Sequence, residues 1–310
     1  MTLFMITAAL AALILFISYL CFRMAFYVTP AQKIRPEGYP IPEGDIYEPH
    51  REQMIRWIDE TRALDHEDVE IQSFDGLTLR GKYYEHTPGA PVEIMFHGYR
   101  GSAERDLCGG VQRCFACGRN ALVVGQRGSI DSDGNVITFG ILESRDCRGW
   151  VDFAIDHFGS DVKLILTGIS MGASTVMIAA GRELPENVVG VLADCGFNCA
   201  EDIIKKTIRE MKLPPNLSYP FVRLGAMVFG HFDPNETSAM EAMEHCRLPI
   251  IFFHGKDDDF VPCWMSRVNY EHCAAIKKLV IIPGAGHGLS FPVDQEGYLR
   301  ELREFAAKYW

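Results

Sequence analysis

Short runs of apolar residues alternate with longer amphipathic stretches over most of the chain. The runs predict six buried strands, because parallel strands covered on both faces have continuous apolar sequences. These runs are VEIMF (92–96), ALVVG (121–125), VKLILTG (162–168), VVGVLAD (188–194), PIIFFHG (249–255) and KLVIIPG (278–284). Helix-like segments lie between or after them, near 102–117, 142–158, 171–182, 263–276 and 294–308. This alternation predicts an α/β fold with a mostly parallel sheet and helices on both faces.

Two further strands are predicted before this pattern begins. DVEIQSF (68–74) and LTLRGKYY (77–84) flank Asp75-Gly76, which is typical of a hairpin turn. The sheet then has eight strands, with an antiparallel hairpin at one edge. The connection between the strands at 188–194 and 249–255 is too long for a simple crossover. We expect it to form a small helical cap over the sheet, inserted at about 197–246.

The N-terminus predicts a membrane segment. The stretch MTLFMITAALAALILFISYLCF has no charged side chain and is long enough to span a bilayer as a helix. We expect a transmembrane anchor at 1–28 that contacts lipid through residues 3–22. A cleaved signal peptide is the alternative, but it would have a positive n-region and a small-residue cleavage site, and neither is evident.

The residues that follow indicate how the anchor joins the rest of the chain. Arg23, Lys33 and Arg35 lie after the apolar run, so the positive-inside rule places the large domain on the cytoplasmic side of the cell membrane, with a single span. Segment 29–49 carries five prolines and predicts an extended linker. The α/β domain is then expected at 50–310.

Charge and cysteine content exclude several function classes. The chain of 310 residues has a formal net charge of −11 and a pI near 5.4, so no basic surface for nucleic acid is expected. Its ten cysteines lack zinc-site spacing, and we interpret them as reduced thiols. Signatures of metalloproteases and nucleotide-binding loops are also missing from the sequence, and we expect neither metal nor cofactor.

Ser170 is the candidate nucleophile. It stands in Gly168-Ile169-Ser170-Met171-Gly172, directly after a predicted strand and before a predicted helix. Strand, sharp turn and helix form the context in which a G-x-S-x-G serine is exposed for attack. The small glycines allow the close backbone approach that such a turn requires.

A serine nucleophile needs a base and an acid, which follow it in the order acid then histidine in this arrangement. We expect His287 to be the base, because GAGHG follows the last strand and gives an imidazole room to reach back. His254 precedes the best acid candidates, and His272 lies within a predicted helix. The histidines after Ser170 are His231, His245, His254, His272 and His287.

The acid is expected after the strand 249–255, in HGKDDDFVP. Composition does not separate Asp257, Asp258 and Asp259, and Asp194 at the end of the preceding strand is an outside candidate. The loop HGYRG at 97–101 offers backbone N–H groups for the oxyanion that forms when serine attacks a carbonyl. The N–H group of Met171 would be the second donor.

Taken in order, HGYRGS, GISMGA, HGKDDDFVP and GAGHG resemble the α/β-hydrolase superfamily over about residues 66–310. The chain is most similar to a bacterial, membrane-anchored branch that is loosely BEM46-like. In that branch the acid follows a G-x-x-D-x-x-V-P pattern, which falls here on Asp258. The resemblance also implies Tyr99 and Met171 as the oxyanion donors.

These features predict a membrane-anchored serine hydrolase. Ser170, Asp258 and His287 would cleave carboxylic esters through an acyl-enzyme, with a small-molecule or lipid-like ester as substrate. The same triad could serve an amidase, a peptidase or a thioesterase. A different class, a non-catalytic membrane scaffold, would not need the triad.

Overall fold

The chain folds around one eight-stranded sheet. A computed structural model describes residues 1–35 and 37–310. The strands are β1 (Glu67–Gln72), β2 (Thr78–Tyr84), β3 (Val92–Phe96), β4 (Asn120–Val124), β5 (Leu164–Ile169), β6 (Val188–Asp194), β7 (Ile250–Gly255) and β8 (Lys277–Ile282).

Strand order in the sheet is β1-β2-β4-β3-β5-β6-β7-β8. β2 pairs antiparallel with both β1 and β4, and every other neighbouring pair is parallel. The predicted fold class is therefore confirmed, including the antiparallel hairpin at one edge. Since β3, β5, β6, β7 and β8 run parallel, their carboxyl ends meet at one edge of the sheet.

Helices cover both faces of the sheet and build the cap. They are α1 (Thr2–Ala25), α2 (Arg51–Arg62), α3 (Ala103–Asp106), α4 (Gly110–Ala116), α5 (Glu143–Phe158), α6 (Met171–Ala180), α7 (Ala200–Glu210), α8 (Pro215–Gly225), α9 (Ala239–His245), α10 (Trp264–His272), α11 (Ser290–Val293) and α12 (Gln295–Tyr309). The connection between β6 and β7 contains α7, α8, a π-turn at Ala226–Gly230 and α9. Its helices lie where the sequence predicts the cap.

The helix expected at 102–117 is divided into α3 and α4. Gly109 lies between them with φ +82°, a conformation that side-chain-bearing residues rarely adopt. A Cβ at this position would lie 2.6 Å from the Trp57 ring of α2. The break therefore lets the chain turn while α2 packs closely against it.

The C-terminal third of α1 is part of the folded domain. Ser18, Phe22 and Phe26 are buried, and Phe26 makes edge-on contacts with Phe139 and with Phe232 of the cap. Phe22 and Phe26 belong to an apolar cluster that includes residues of α7 and α8 and Met171, the residue after the nucleophile. The helix is therefore packed on the domain rather than merely linked to it.

The segment that follows α1 also lies along the domain. Lys33 Nζ donates to the Ser132 carbonyl at 2.8 Å, and Tyr47 OH donates to the His287 carbonyl at 3.0 Å. The prolines of segment 29–49 predict an extended linker. Its polar side chains instead find partners on the domain surface, which holds the segment against it.

Candidate active site

The candidate residues lie at the carboxyl ends of four parallel strands. Ser170 follows β5 directly, and the loop with Tyr99 follows β3. Asp258 lies three residues after β7, and His287 lies five residues after β8. The strand order places β5 centrally, so residues after the flanking strands can reach the serine.

Ser170 occupies a strained turn between β5 and α6. Its φ of 56° and ψ of −121° are rare for a residue with a side chain. A Cβ on Gly168 would lie 2.1 Å from the Gly172 backbone, and one on Gly172 would lie 2.0 Å from the Phe96 carbonyl oxygen. Only glycines fit at both positions, and they allow β5, the turn and α6 to pack closely enough to present the serine hydroxyl.

Ser170, His287 and Asp258 form a continuous hydrogen-bonded chain. His287 Nδ1 lies 2.7 Å from Asp258 Oδ2, and His287 Nε2 lies 3.0 Å from Ser170 Oγ. Because a carboxylate only accepts hydrogen bonds, Nδ1 carries the imidazole proton. Nε2 is then free to accept from the serine hydroxyl, as a general base must.

Asp258 is held in its charged form. Burial raises the pKa of its carboxyl, but hydrogen bonds from His254 and His287 outweigh burial and bring the pKa down to about 2. Oδ1 also accepts from the Phe260 and Val261 N–H groups, at 2.9 and 2.8 Å. The carboxylate is thus fixed in place and ionised where it can orient His287.

His254 is a second histidine on this carboxylate. Its Nε2 lies 3.3 Å from Asp258 Oδ2 and 2.8 Å from the Val261 carbonyl oxygen, and its Nδ1 lies 2.6 Å from Ser266 Oγ. Sequence reasoning set His254 aside as a base because it precedes the acid. Its i to i+4 spacing from Asp258 is the one signal that could have indicated the contact.

The other candidates considered from the sequence lie elsewhere. Asp194 accepts from Ser290 and Tyr298, and Asp257 accepts from the Gly284 N–H group. His272 is paired with Glu244 at 2.8 Å on the surface. The geometry therefore favours Asp258 and His287.

The two expected oxyanion donors flank the serine. Met171 is the first residue of α6, where backbone N–H groups have no partner within the helix. Among the described residues, no hydrogen-bond acceptor contacts the N–H group of Met171 or of Tyr99. Asp106 Oδ2 accepts from the Gly98 N–H group at 2.8 Å, which fixes the loop just before Tyr99.

A cavity of about 360 Å³ opens onto the serine. Tyr99, Phe260 and His287 line it, together with Pro42 and Tyr47 from the segment after α1. Phe260 is half exposed at the rim, with its ring centroid 4.9 Å from that of His287. The volume is sufficient for a small organic ligand.

A cluster of possible metal ligands in the described residues overlaps this site. Cys195, Asp258 and His287 offer atoms within 4.8 Å of one another. Cys195 is fully buried, and burial raises the pKa of its thiol well above the usual range. The hydrogen bond between Asp258 and His287 already satisfies the other two groups, so this donor set fits a catalytic triad better than a metal.

Curated proteins with similar sequences come from bacteria and yeast. YqkD, an uncharacterized protein of Bacillus subtilis, is 26% identical over 189 residues, which cover 61% of this chain and 62% of YqkD. Protein bem46 of Schizosaccharomyces pombe is 22% identical over 253 residues, covering 79% of this chain and 78% of bem46. No protein-family model matches the chain.

Solved structures with the same fold include esterases. The esterase Pf2001 of Pyrococcus furiosus superposes with a TM-score of 0.65 at 20% identity, covering 81% of this chain and 93% of the esterase. Est1E of Butyrivibrio proteoclasticus, solved with ferulic acid bound, superposes with a TM-score of 0.58 at 20% identity. The match covers 78% of this chain and 98% of Est1E. The chain therefore has the α/β-hydrolase fold. The expected resemblance to α/β hydrolases is confirmed for the fold, and the sequence is similar to bem46 at 22% identity.

Proposed function

We propose that the protein is a membrane-anchored serine hydrolase that cleaves carboxylic esters. The chain of hydrogen bonds from Ser170 through His287 to Asp258 carries this proposal. The open cavity beside the serine and the two N–H groups without acceptors support it. Known esterases share the fold, which is consistent with this chemistry without specifying a substrate.

The geometry suggests the following sequence of steps. Ser170 Oγ attacks the ester carbonyl while His287 Nε2 takes the hydroxyl proton. The N–H groups of Tyr99 and Met171 donate to the carbonyl oxygen as it becomes negative. His287 returns the proton to the departing alcohol, leaving an acyl group on Ser170. Water then attacks the acyl-enzyme with His287 again as the base, which releases the carboxylic acid and restores the serine.

The proposed anchor is α1. It has 24 residues, and its most apolar 18-residue window has a mean hydropathy of 2.5 and little buried surface. A signal sequence would also have this composition. However, cleavage after the apolar run would remove the buried side chains of Ser18 and Phe22, and this favours a retained helix. We place the catalytic domain on the cytoplasmic side, as Arg23, Lys33 and Arg35 predict.

The test uses the full chain in detergent, with Ser170→Ala, His287→Ala and His272→Ala as variants. Wild type should hydrolyse p-nitrophenyl esters and bind a fluorophosphonate covalently at Ser170. Ser170→Ala should do neither, and His287→Ala should lose most turnover. His272→Ala is the matched control and should retain activity, because its side chain pairs with Glu244 at the surface.

The outcomes separate the alternatives. Labelling at Ser170 without turnover of esters from acetyl to palmitoyl would contradict ester specificity and favour an amide or thioester substrate. Absence of labelling in a folded protein would contradict the enzyme proposal and favour a scaffold. The acyl length that gives the highest kcat/KM would measure the depth of the cavity.

A further inference from the structure

The length of α1 that stands clear of the domain is too short to cross a bilayer by itself. Residues 1–16 are all exposed, whereas Ser18 and Phe22 are buried against the domain. Residues 2–16 span roughly 22 Å at about 1.5 Å per residue. The hydrocarbon core of a bilayer is about 30 Å thick. A membrane span formed by α1 therefore has to include residues of α1 that are packed against the domain.

The cap covers these residues. Gly225 at the end of α8 approaches α1 so closely that a Cβ there would lie 2.2 Å from the Ser18 carbonyl oxygen. Phe229 of the π-turn contacts Tyr19 edge-on, with ring centroids 5.2 Å apart. Gly225 and Phe229 therefore lie beside the part of α1 that is needed to complete the membrane span.

The segment of the cap from the turn before α8 to the π-turn exposes apolar side chains. Five large ones are 41% to 67% exposed, and they lie in the turn before α8, in α8 itself and in the π-turn after it. We call these residues the apolar cap surface: Met211, Leu213, Leu217, Met227 and Val228. Five exposed apolar residues within one short segment indicate an interaction surface rather than ordinary scatter.

We propose that the apolar cap surface lies in the acyl-chain region of the bilayer, beside α1. The proposal rests on the proposed anchor, and it deepens that function by placing the cap in the lipid. The shortfall in the length of α1 and its close contacts with Gly225 and Phe229 of the cap both favour lipid as the occupant. Two charged side chains lie among the apolar residues: Lys212 is long enough to extend its ammonium group to the headgroups, and Arg223 pairs with Asp233.

Tryptophan fluorescence in vesicles tests this placement. The full chain would be reconstituted in phosphatidylcholine vesicles, with or without lipids brominated on their acyl chains, which quench tryptophans that they contact. Wild type supplies the background signal of the native tryptophans. Three variants are compared with it: Leu217→Trp in the apolar cap surface, Leu10→Trp in the exposed part of α1, and Ile276→Trp just before β8. Ile276 is the matched control because it is 51% exposed and lies outside the cap and α1.

We expect the added fluorescence of Leu217→Trp and Leu10→Trp to be quenched, and that of Ile276→Trp to be unaffected. Quenching of Leu10→Trp without quenching of Leu217→Trp would overturn the cap placement and leave the anchor intact. The apolar cap surface would then face water, a second copy or another protein. An unquenched Leu10→Trp would contradict the anchor itself, and with it this inference. Equal quenching of all three variants would show lipid contact without the proposed orientation, and would also overturn the inference.

Discussion

Replacing Phe26 by alanine tests whether the end of α1 is part of the domain core. Phe26 is fully buried, and its ring centroid lies 5.6 Å from that of Phe139 and 5.1 Å from that of Phe232, both edge-on. These partners come from the loop after β4 and from the cap. The alanine variant therefore removes one side chain that joins three separate parts of the chain.

The expected loss follows from this burial. Phe to Ala substitutions in well-packed cores lower the free energy of unfolding by about 3 to 5 kcal/mol. A domain of this size has an unfolding entropy of roughly 0.6 kcal/mol/K, so the melting temperature should fall by roughly 5 to 8 °C.

The assay is thermal unfolding of the full chain in detergent, followed by circular dichroism. Phe16→Ala is the control, since this side chain is in the same helix but 58% exposed, outside the domain. The control should melt close to wild type. A Phe26→Ala protein that melted with the control would refute the reasoning, because it would show that α1 is tethered to the domain without packing on it.

Three further changes test the site and the core. Asp258→Asn should lower kcat by roughly 10⁴, as loss of the triad acid does elsewhere, whereas Asp259→Asn should keep near-wild-type turnover. The pKa of the Asp258 carboxyl in the fold is about 2, below the ordinary value of 3.8, so it stabilises the protein fully only above about pH 4. The difference in urea stability between wild type and Asp258→Asn should therefore narrow as the pH falls from 4 to 2, and a difference that stayed constant would contradict this. Glu93→Gln should lower the free energy of unfolding by about 3 to 5 kcal/mol, because this buried carboxylate pairs with two buried arginines that would lose their counter-charge. A urea midpoint close to that of wild type would argue against that pairing.

Most of the sheet could be predicted from the sequence. All eight strands lie within two residues of the expected positions. Buried parallel strands leave uninterrupted apolar runs such as VVGVLA (188–193). The helix expected at 102–117 is broken at Gly109, since a helix-period pattern does not show that Trp57 packs against the chain at that point. Sequence spacing records local periodicity, whereas this break depends on a contact with a distant helix.

The candidate site shows the same division between local and distant information. Ser170 and His287 could be proposed because each lies in a glycine-containing stretch after a predicted strand. Asp258 is separated from Asp257 and Asp259 only by the pattern of the family that the chain resembles. The contacts of Tyr47 with the His287 loop and of Phe26 with the cap join residues far apart in the sequence. No pattern in 29–49 distinguishes a proline-rich segment that extends into solvent from one that lies on a protein surface.

The side chains of the loop after β3 also contact the end of α1. Tyr99 OH donates to the Ala25 carbonyl at 2.6 Å, and Arg100 Nη2 donates to the Met24 and Tyr27 carbonyls at 2.8 and 3.0 Å. During synthesis α1 emerges well before the cap, so under the proposed anchoring the domain completes its core on a helix that is already in lipid. Biogenesis would then couple membrane insertion to folding of the domain. We expect the denatured chain to regain its fold only when detergent or lipid is present.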